Sequence, residues 1–343
     1  MNADGVWLKG KWFVVGSVIL ALGAAAIARG DVDTGINATA PPAPPPTVSF
    51  YETTVNHMFL NNQGCRTAQA QPETSVNGVV FLDFGVPRWD DSANVWGQLR
   101  AGLPNGKPWP IGAIYSGLQA WSRGYHRCYP SASSKRLTIA WGTSNGFLQA
   151  SLTSDKLKEG GATFARYVQS YYDWVKCGSA CGKSVYTRQF PIAGDDVEEA
   201  YSPYASTVAY LTGYDTWSDA THAAPRPLLD YGAAENRSCD TNCRGDWTRA
   251  NRLQVAWGAR HAPCPQIYYS FMSQYQWIPL EQWAHDHGGL MNFYCVMTTI
   301  VGYSPSDGWR KLWSDLHAAT PVGETDWATH LRRRLTKIVW AIS

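Results

Sequence analysis

Short apolar runs alternate along the chain with amphipathic or irregular stretches, and the runs are bounded by Gly, Pro, Asn and Asp. Read as strands, they fall at Val79–Phe84, Ile111–Ser116, Leu137–Trp141, Phe190–Asp195, Pro227–Tyr231, Leu253–Trp257, Gln266–Ser270 and Leu290–Met297. Helical patterns occupy Ala162–Lys176, Ser202–Thr212, Pro279–His287 and Ser306–Ala318. Pro279 followed by Glu281 marks a helix start, and Gly288-Gly289 marks its stop. Eight strands alternating with helices or long loops predict an α/β fold, a (β/α)8 TIM-like barrel. An open doubly wound sheet is the competing architecture, but no glycine-rich phosphate fingerprint follows an early strand.

The N-terminus breaks this pattern. Lys9 and Lys11 precede an apolar run, Trp12 to Ala28, and Ala26-Ile27-Ala28 offers a small-x-small cleavage site. Residues 1–30 therefore read as a signal peptide or a membrane anchor, and either implies export to the cell surface or beyond. Residues 31–47 turn polar and then Pro-rich, an extended tether. Residues 48–343 form one domain without internal repeats, expected to act as a monomer. Eight cysteines in an exported chain read as up to four disulfides. Cys177/Cys181 and Cys239/Cys243 suit small closed loops, whereas Cys65, Cys128, Cys264 and Cys295 need longer-range partners. Zinc held by the two C-x3-C pairs is the competing idea, although neither pair has a neighbouring His.

Composition then narrows the partner. A net charge of +2 gives no strong attraction to nucleic acid or anionic lipid, so membrane contact is expected only through the N-terminal segment. With 17 Trp and 18 Tyr, the chain has aromatic surface to spare for stacking on sugar rings, though many of these rings must fill the core. The expected partner is a polysaccharide or peptidoglycan.

The candidate chemistry sits in Phe190-Pro-Ile-Ala-Gly-Asp-Asp-Val-Glu-Glu-Ala-Tyr201. Strand alternation puts Ile192, Gly194, Asp196 and Glu198 on one face, and Asp195, Val197 and Glu199 on the other. Carboxylates at i and i+2 raise one another's pKa, and glycoside hydrolysis needs one protonated and one ionised carboxyl. Other strands also end in acids or aromatics: Asp83, Asp230-Tyr231, Trp141, Trp257 and Tyr268, with Asn292 on the eighth. Asp83, Asp196, Glu198 and Asp230 are thus candidate catalytic residues, and Trp141, Tyr231, Trp257, Tyr268 and Asn292 candidate substrate-binding ones. Each has a plainer alternative: Asp83 pairing with Arg88 or capping a helix, Asp230 held by loop N–H groups. No Gly-x-Ser-x-Gly or His-Glu-x-x-His occurs to support a serine hydrolase or a zinc protease.

At Asp196-Val197-Glu198 the chain resembles the D-x-E strand end of the family 25 lysozymes, which also carry an early-strand Asp, matched by Asp83. It departs from the family 18 chitinase signature, since Pro191 and Gly194 stand where that signature has acids. More broadly, Gly194 to Tyr201, Tyr231 to Glu235, and Trp257-Gly258 with Pro265 to Tyr269 look like segments of a group of exported bacterial proteins, a likeness that brings no function with it. The lysozyme resemblance implies a glycosidase with Glu198 as general acid, and Asp196 orienting the N-acetyl group or stabilising charge at the anomeric carbon. Asp83 and Asp230 would add negative charge, with no metal or organic cofactor required. The alternatives are a non-catalytic glycan-binding barrel and a tethered surface protein that binds another protein.

Overall fold

The computed structural model describes residues 47–70, 78–100, 106–129, 136–143, 152–199, 201–221, 228–230, 232, 247–257, 261–287, 293, 295–297 and 305–320. The expected leader, the tether up to residue 46, and Cys239 and Cys243 lie outside the described residues, as do Tyr231 and Asn292. Among the described residues no helix is long and apolar enough to cross a membrane.

Six strands form one parallel sheet in chain order: β1 (Thr47–Tyr51), β2 (Gly78–Asp83), β6 (Leu137–Thr143), β7 (Gln189–Asp195), β8 (Leu228–Asp230) and β9 (His261–Pro263). Parallel neighbours need long crossovers, and each crossover carries a helix. These are α1 (His57–Ala70), α2 (Ile111–Cys128), α3 (Ser154–Lys176), α4 (Tyr204–Thr221) and α5 (Arg249–Ala256). Between β2 and α2 the chain inserts an antiparallel three-stranded meander, β3 (Val86–Asp90), β4 (Val95–Leu99) and β5 (Trp109–Pro110). Beyond β9, Gln266 and Met297 make a parallel bridge, and Cys264–Cys295 ties the same two segments together. A helix follows Tyr269, built from α6 (Ser270–Met272), a π-helical turn (Ser273–Trp277) and α7 (Ile278–Asp286), and then comes α8 (Pro305–Ala319).

The fold is therefore mixed α/β around a parallel sheet, coarser than the eight-stranded barrel that the apolar runs predict. Among the described residues the seventh and eighth expected strands meet at the Gln266–Met297 bridge, and a closed ring is not seen. Two expected strands are helices. In Ile111–Ser116 the apolar residues begin a helical stripe, Ile111, Ile114, Leu118, Trp121 and Tyr125, all buried. Leu253–Trp257 lies largely in α5, where Arg252, Val255 and Ala256 are buried at i, i+3 and i+4. A window of five residues does not separate the two periods. Three disulfides occur among the described residues, Cys65–Cys128, Cys177–Cys181 and Cys264–Cys295, matching the expected division into local and long-range pairs.

Strand register divides the sheet into two faces. Val79 and Phe81 of β2, Ala140 of β6, Ile192 of β7 and Ala262 of β9 pack with Cys264, Cys295 and Met297 in one inner apolar cluster. The sheet is curled enough for its second strand and the 295–297 segment to share a core. Val80, Leu82, Ile139, Trp141, Ala193 and Leu228 point the other way, into the larger cluster formed with the helices. Close helix packing fixes that outer layer. A Cβ on Gly161 of α3 would lie 1.8 Å from the Tyr210 carbonyl oxygen of α4, so only glycine lets the two backbones approach. Gly161→Ala is expected to lower unfolding stability by about 1–3 kcal/mol, the cost of forcing well-packed elements apart. Urea denaturation checks this.

Candidate functional site

Acidic residues end four strands of the parallel sheet. Glu52 follows β1, Asp83 closes β2, Asp195 and Asp196 close β7, and Asp230 closes β8; all five are buried. The C-terminal ends of parallel strands are where α/β proteins gather function. The pleat sorts these acids. Asp83 shares the parity of Val79 and Phe81, and Asp196 that of Ile192, so both belong to the inner face. Asp195 pairs in register with Asp230, and Asp230 shares the parity of Leu228, so both belong to the outer face against the helices.

On the inner face, Gln266 donates its amide Nε2–H to Asp196 Oδ1 at 2.9 Å. Asp196 is wholly buried, and its pKa is pushed well above the ordinary carboxylate value by burial first, then by the charges of Glu198, Asp83, Asp230 and Asp195. Glu198, two residues on, is half-buried. Burial thus favours the neutral form of Asp196, whereas the expectation from the residues gives the proton to Glu198. Asp83 accepts from the Gly85 N–H at 2.8 Å, a tight Asp-x-Gly turn. Gly85 has φ +104°, and its position leaves no room for a side chain beneath Leu99.

On the outer face, Asp230 repeats the same turn, accepting from the Gly232 N–H at 2.9 Å. Its other oxygen lies 3.0 Å from Nη2 of Arg252, and both side chains are buried. The Arg252 guanidinium in turn lies 5.3 Å from the centre of the Trp277 ring. Asp195 is also raised well above its ordinary value, by burial and then by Asp230, against the opposing pull of His261 and Arg252. His261 accompanies it, with Nδ1 2.6 Å from the Val255 carbonyl oxygen and Nε2 3.3 Å from Asp215 Oδ1. Among the described residues, no group of three His, Cys, Asp or Glu side chains could hold a metal ion.

The expected aromatic walls fall elsewhere. Trp141 points outward and is fully buried, edge-on to Phe164 with centroids 5.0 Å apart. Its place in the register opposite Leu82 puts it on the helix-facing side, so it cannot stack on a ligand from solvent. Trp257 lies at the end of α5 between Trp277 and Phe293 and serves a second core. Tyr268 is half-buried between that core and the inner cluster. Exposed rings are instead Tyr201, after β7, and Tyr269, Phe271 and Tyr275, in the segment that follows Gln266. Tyr269 and Phe271 are stacked with centroids 5.9 Å apart.

Sequence reasoning missed Glu52, Gln266, Arg252 and His261. Glu52 follows a strand whose first residue was assigned to the tether. Gln266 opens an apolar run with the pattern of a strand, and Arg252 directly precedes another.

No family model matches the chain, and no curated protein matches it. A solved sugar phosphate isomerase/epimerase from Parabacteroides distasonis is similar at 8% identity and TM-score 0.35, covering 90% of this chain and 98% of that one. A likeness at that score carries neither fold nor chemistry across. These findings overturn the expected kinship with the family 25 lysozymes. The likeness rested on two strand ends, and any parallel strand that ends in inner-face acids reads as D-x-E.

Two consequences can be measured. Glu52 is pushed up to about 7 from 4.5, chiefly by burial, with Asp83 adding to the rise and Gln63 and Arg100 opposing it. The folded state therefore binds a proton that the unfolded state releases, so this group costs nothing below pH 4.5 and destabilises progressively as pH rises to about 7. Glu52→Gln should flatten that part of the stability profile and stabilise the protein above neutrality by up to roughly 3 kcal/mol, read from urea unfolding across pH. Separately, Arg252→Met should cost about 3–5 kcal/mol by leaving Asp230 buried without its counter-charge. Adding Asp230→Leu should recover much of that loss in the same assay.

Proposed function

We propose that this chain is an enzyme that processes carbohydrate by cleaving a glycosidic bond at the C-terminal edge of its parallel sheet. The observation that carries this reading is the Asp196–Glu198 pair. One carboxyl is wholly buried, oriented by Gln266 and raised well above the ordinary carboxylate pKa by burial, and the other lies two residues away and is partly exposed. Glycosidic cleavage requires a proton to be delivered to the leaving oxygen while nearby negative charge stabilises the oxocarbenium-like transition state. Glu198 is the member that a sugar oxygen can reach and is assigned the proton transfer. Burial favours the protonated form of Asp196 beside it, and Asp83 adds negative charge on the same face. Tyr201, Tyr269, Phe271 and Tyr275 replace the buried tryptophans as rings on which a sugar can stack.

The mechanism calls for no metal or organic cofactor. An exported polysaccharide or peptidoglycan is the substrate consistent with the leader-like N-terminus and the disulfides. The neutralisation of Asp230 by Arg252 favours a second reading, in which the same edge binds glycan without cleaving it.

Dye release from a panel of labelled peptidoglycan and other polysaccharides distinguishes the two. Glu198→Gln is expected to reduce cleavage by about 10²–10⁴-fold, the usual worth of a positioned acid, with unchanged unfolding. An unchanged rate would remove Glu198 from the chemistry. Binding without release by the unaltered chain would establish the non-catalytic reading.

A further inference from the structure

The opposite, N-terminal edge of the sheet carries charge of the other sign. The chain has no Asp or Glu between Asp91 and Asp155, and none between Asp173 and Asp195. Basic residues from these two stretches meet in space. Arg136 and Arg188 stand directly before β6 and β7, where the Arg188 carbonyl accepts from the Leu137 N–H at 2.7 Å. Arg123 and His126 come from the end of α2, and Lys183 lies just beyond the loop closed by Cys177–Cys181. Aromatic rings hold the heads in place. Arg123 and Lys183 lie over Trp174 at 5.3 and 4.6 Å, Arg188 over Tyr129 at 4.8 Å, and His126 stacks on Tyr186 at 4.4 Å.

The helix dipole accounts for part of this. Cations at helix C-termini are favourable, which explains His126 and Arg127 in the last turn of α2. It does not explain Arg136, Lys183 and Arg188, which lie outside helices. Among the described residues no carboxylate forms an ion pair with Arg123 or Lys183. After burial, Lys183 and Arg188 push the His126 pKa down, and Arg123 does the same to Lys183. Two of these groups, His126 and Arg188, line a cavity of about 370 Å³ with Tyr125, Tyr129, Tyr186, Thr187 and Gln189, and Lys183 lies over the Tyr186 ring at 4.0 Å. An arriving anion would relieve that repulsion.

We propose that this edge binds an anionic polysaccharide, with one acidic sugar unit in the cavity and its neighbours along the arginine and lysine heads. The Tyr and Thr hydroxyls of the lining suit sugar hydroxyls. Cations already cover the rings, which removes the bare stacking faces that single-stranded nucleic acid uses. A concave cavity is also a poor match to a flat anionic bilayer. The inference does not depend on cleavage at Asp196 and Glu198.

The test is a binding titration of the intact chain with polygalacturonate, neutral dextran, duplex DNA and phosphatidylglycerol vesicles, at low and high salt. Polygalacturonate is expected to bind, dextran not, and added salt to weaken the complex. Arg123→Glu/Lys183→Glu should weaken binding by about tenfold or more, the worth of one charged hydrogen bond. Arg123→Lys/Lys183→Arg should retain it. If the charge-reversed protein fails to fold, the neutral pair Arg123→Gln/Lys183→Gln must show the loss. No binding of polygalacturonate, undiminished binding by a folded charge-removed variant, or preference for DNA or vesicles would overturn the proposal. Glu198→Gln should bind as the unaltered chain does, which separates failure of this surface from failure of the cleavage site.

Discussion

Everything at the acidic edge depends on the register of β7 between β6 and β8. One residue separates Asp195 from Asp196, yet the pleat sends them to opposite faces of the sheet. Asp196 goes to the curled interior with Gln266, and Asp195 goes to the helix layer with Asp230, Arg252 and His261. A slip of one position would exchange these environments. It would bring Ala193 inside and drive Ile192 against helices whose backbones already approach closely at Gly161. The close α3–α4 contact at Gly161 is therefore part of what keeps the chemistry in place, although it lies in another layer.

The two faces treat buried charge differently. On the outer face a guanidinium balances one carboxyl, and a histidine lies beside another. Such an arrangement is costly to break but contributes little net stability compared with an apolar core. On the inner face an amide orients one oxygen of Asp196, and burial, then surrounding negative charge, push its pKa well above the ordinary value. Burial shifts both Asp195 and Asp196 toward the neutral form, but Asp196 has the partly exposed Glu198 beside it, whereas Asp195 has His261 and Arg252. That difference, more than the number of acids, separates Asp196 and Glu198 from Asp195 and Asp230.

Much of this could be read from the residues, and the failures have physical causes. The strands at Val79, Leu137, Phe190 and Pro227 were legible because long apolar runs ending in Asp or Gly leave few other readings. The opposite parity of Asp195 and Asp196 followed from the two-residue repeat and agrees with the observed faces. Ile111 and Leu253 misled because five apolar-rich residues fit a strand or one buried turn of helix equally well. Trp141 misled for a different reason: at a strand end a large ring has two faces to choose from, and only the register with Leu82 reveals which. Arg252 was invisible because its partner is distant in sequence. β9 was invisible because three residues, His261 to Pro263, carry no periodicity.

Buried acids, shifted toward neutral or paired with Arg252, stand at one end of the strands and arginines and lysines at the other, so the basic edge carries the stronger charge although the formal net charge is only +2. Such a molecule turns as it approaches a negatively charged matrix. The basic end leads and the acidic end faces away, before any contact is made. A chain held at the basic edge is then not the stretch presented to Asp196 and Glu198. The two ends would engage different segments, or different molecules, and the domain would work as a bridge between them.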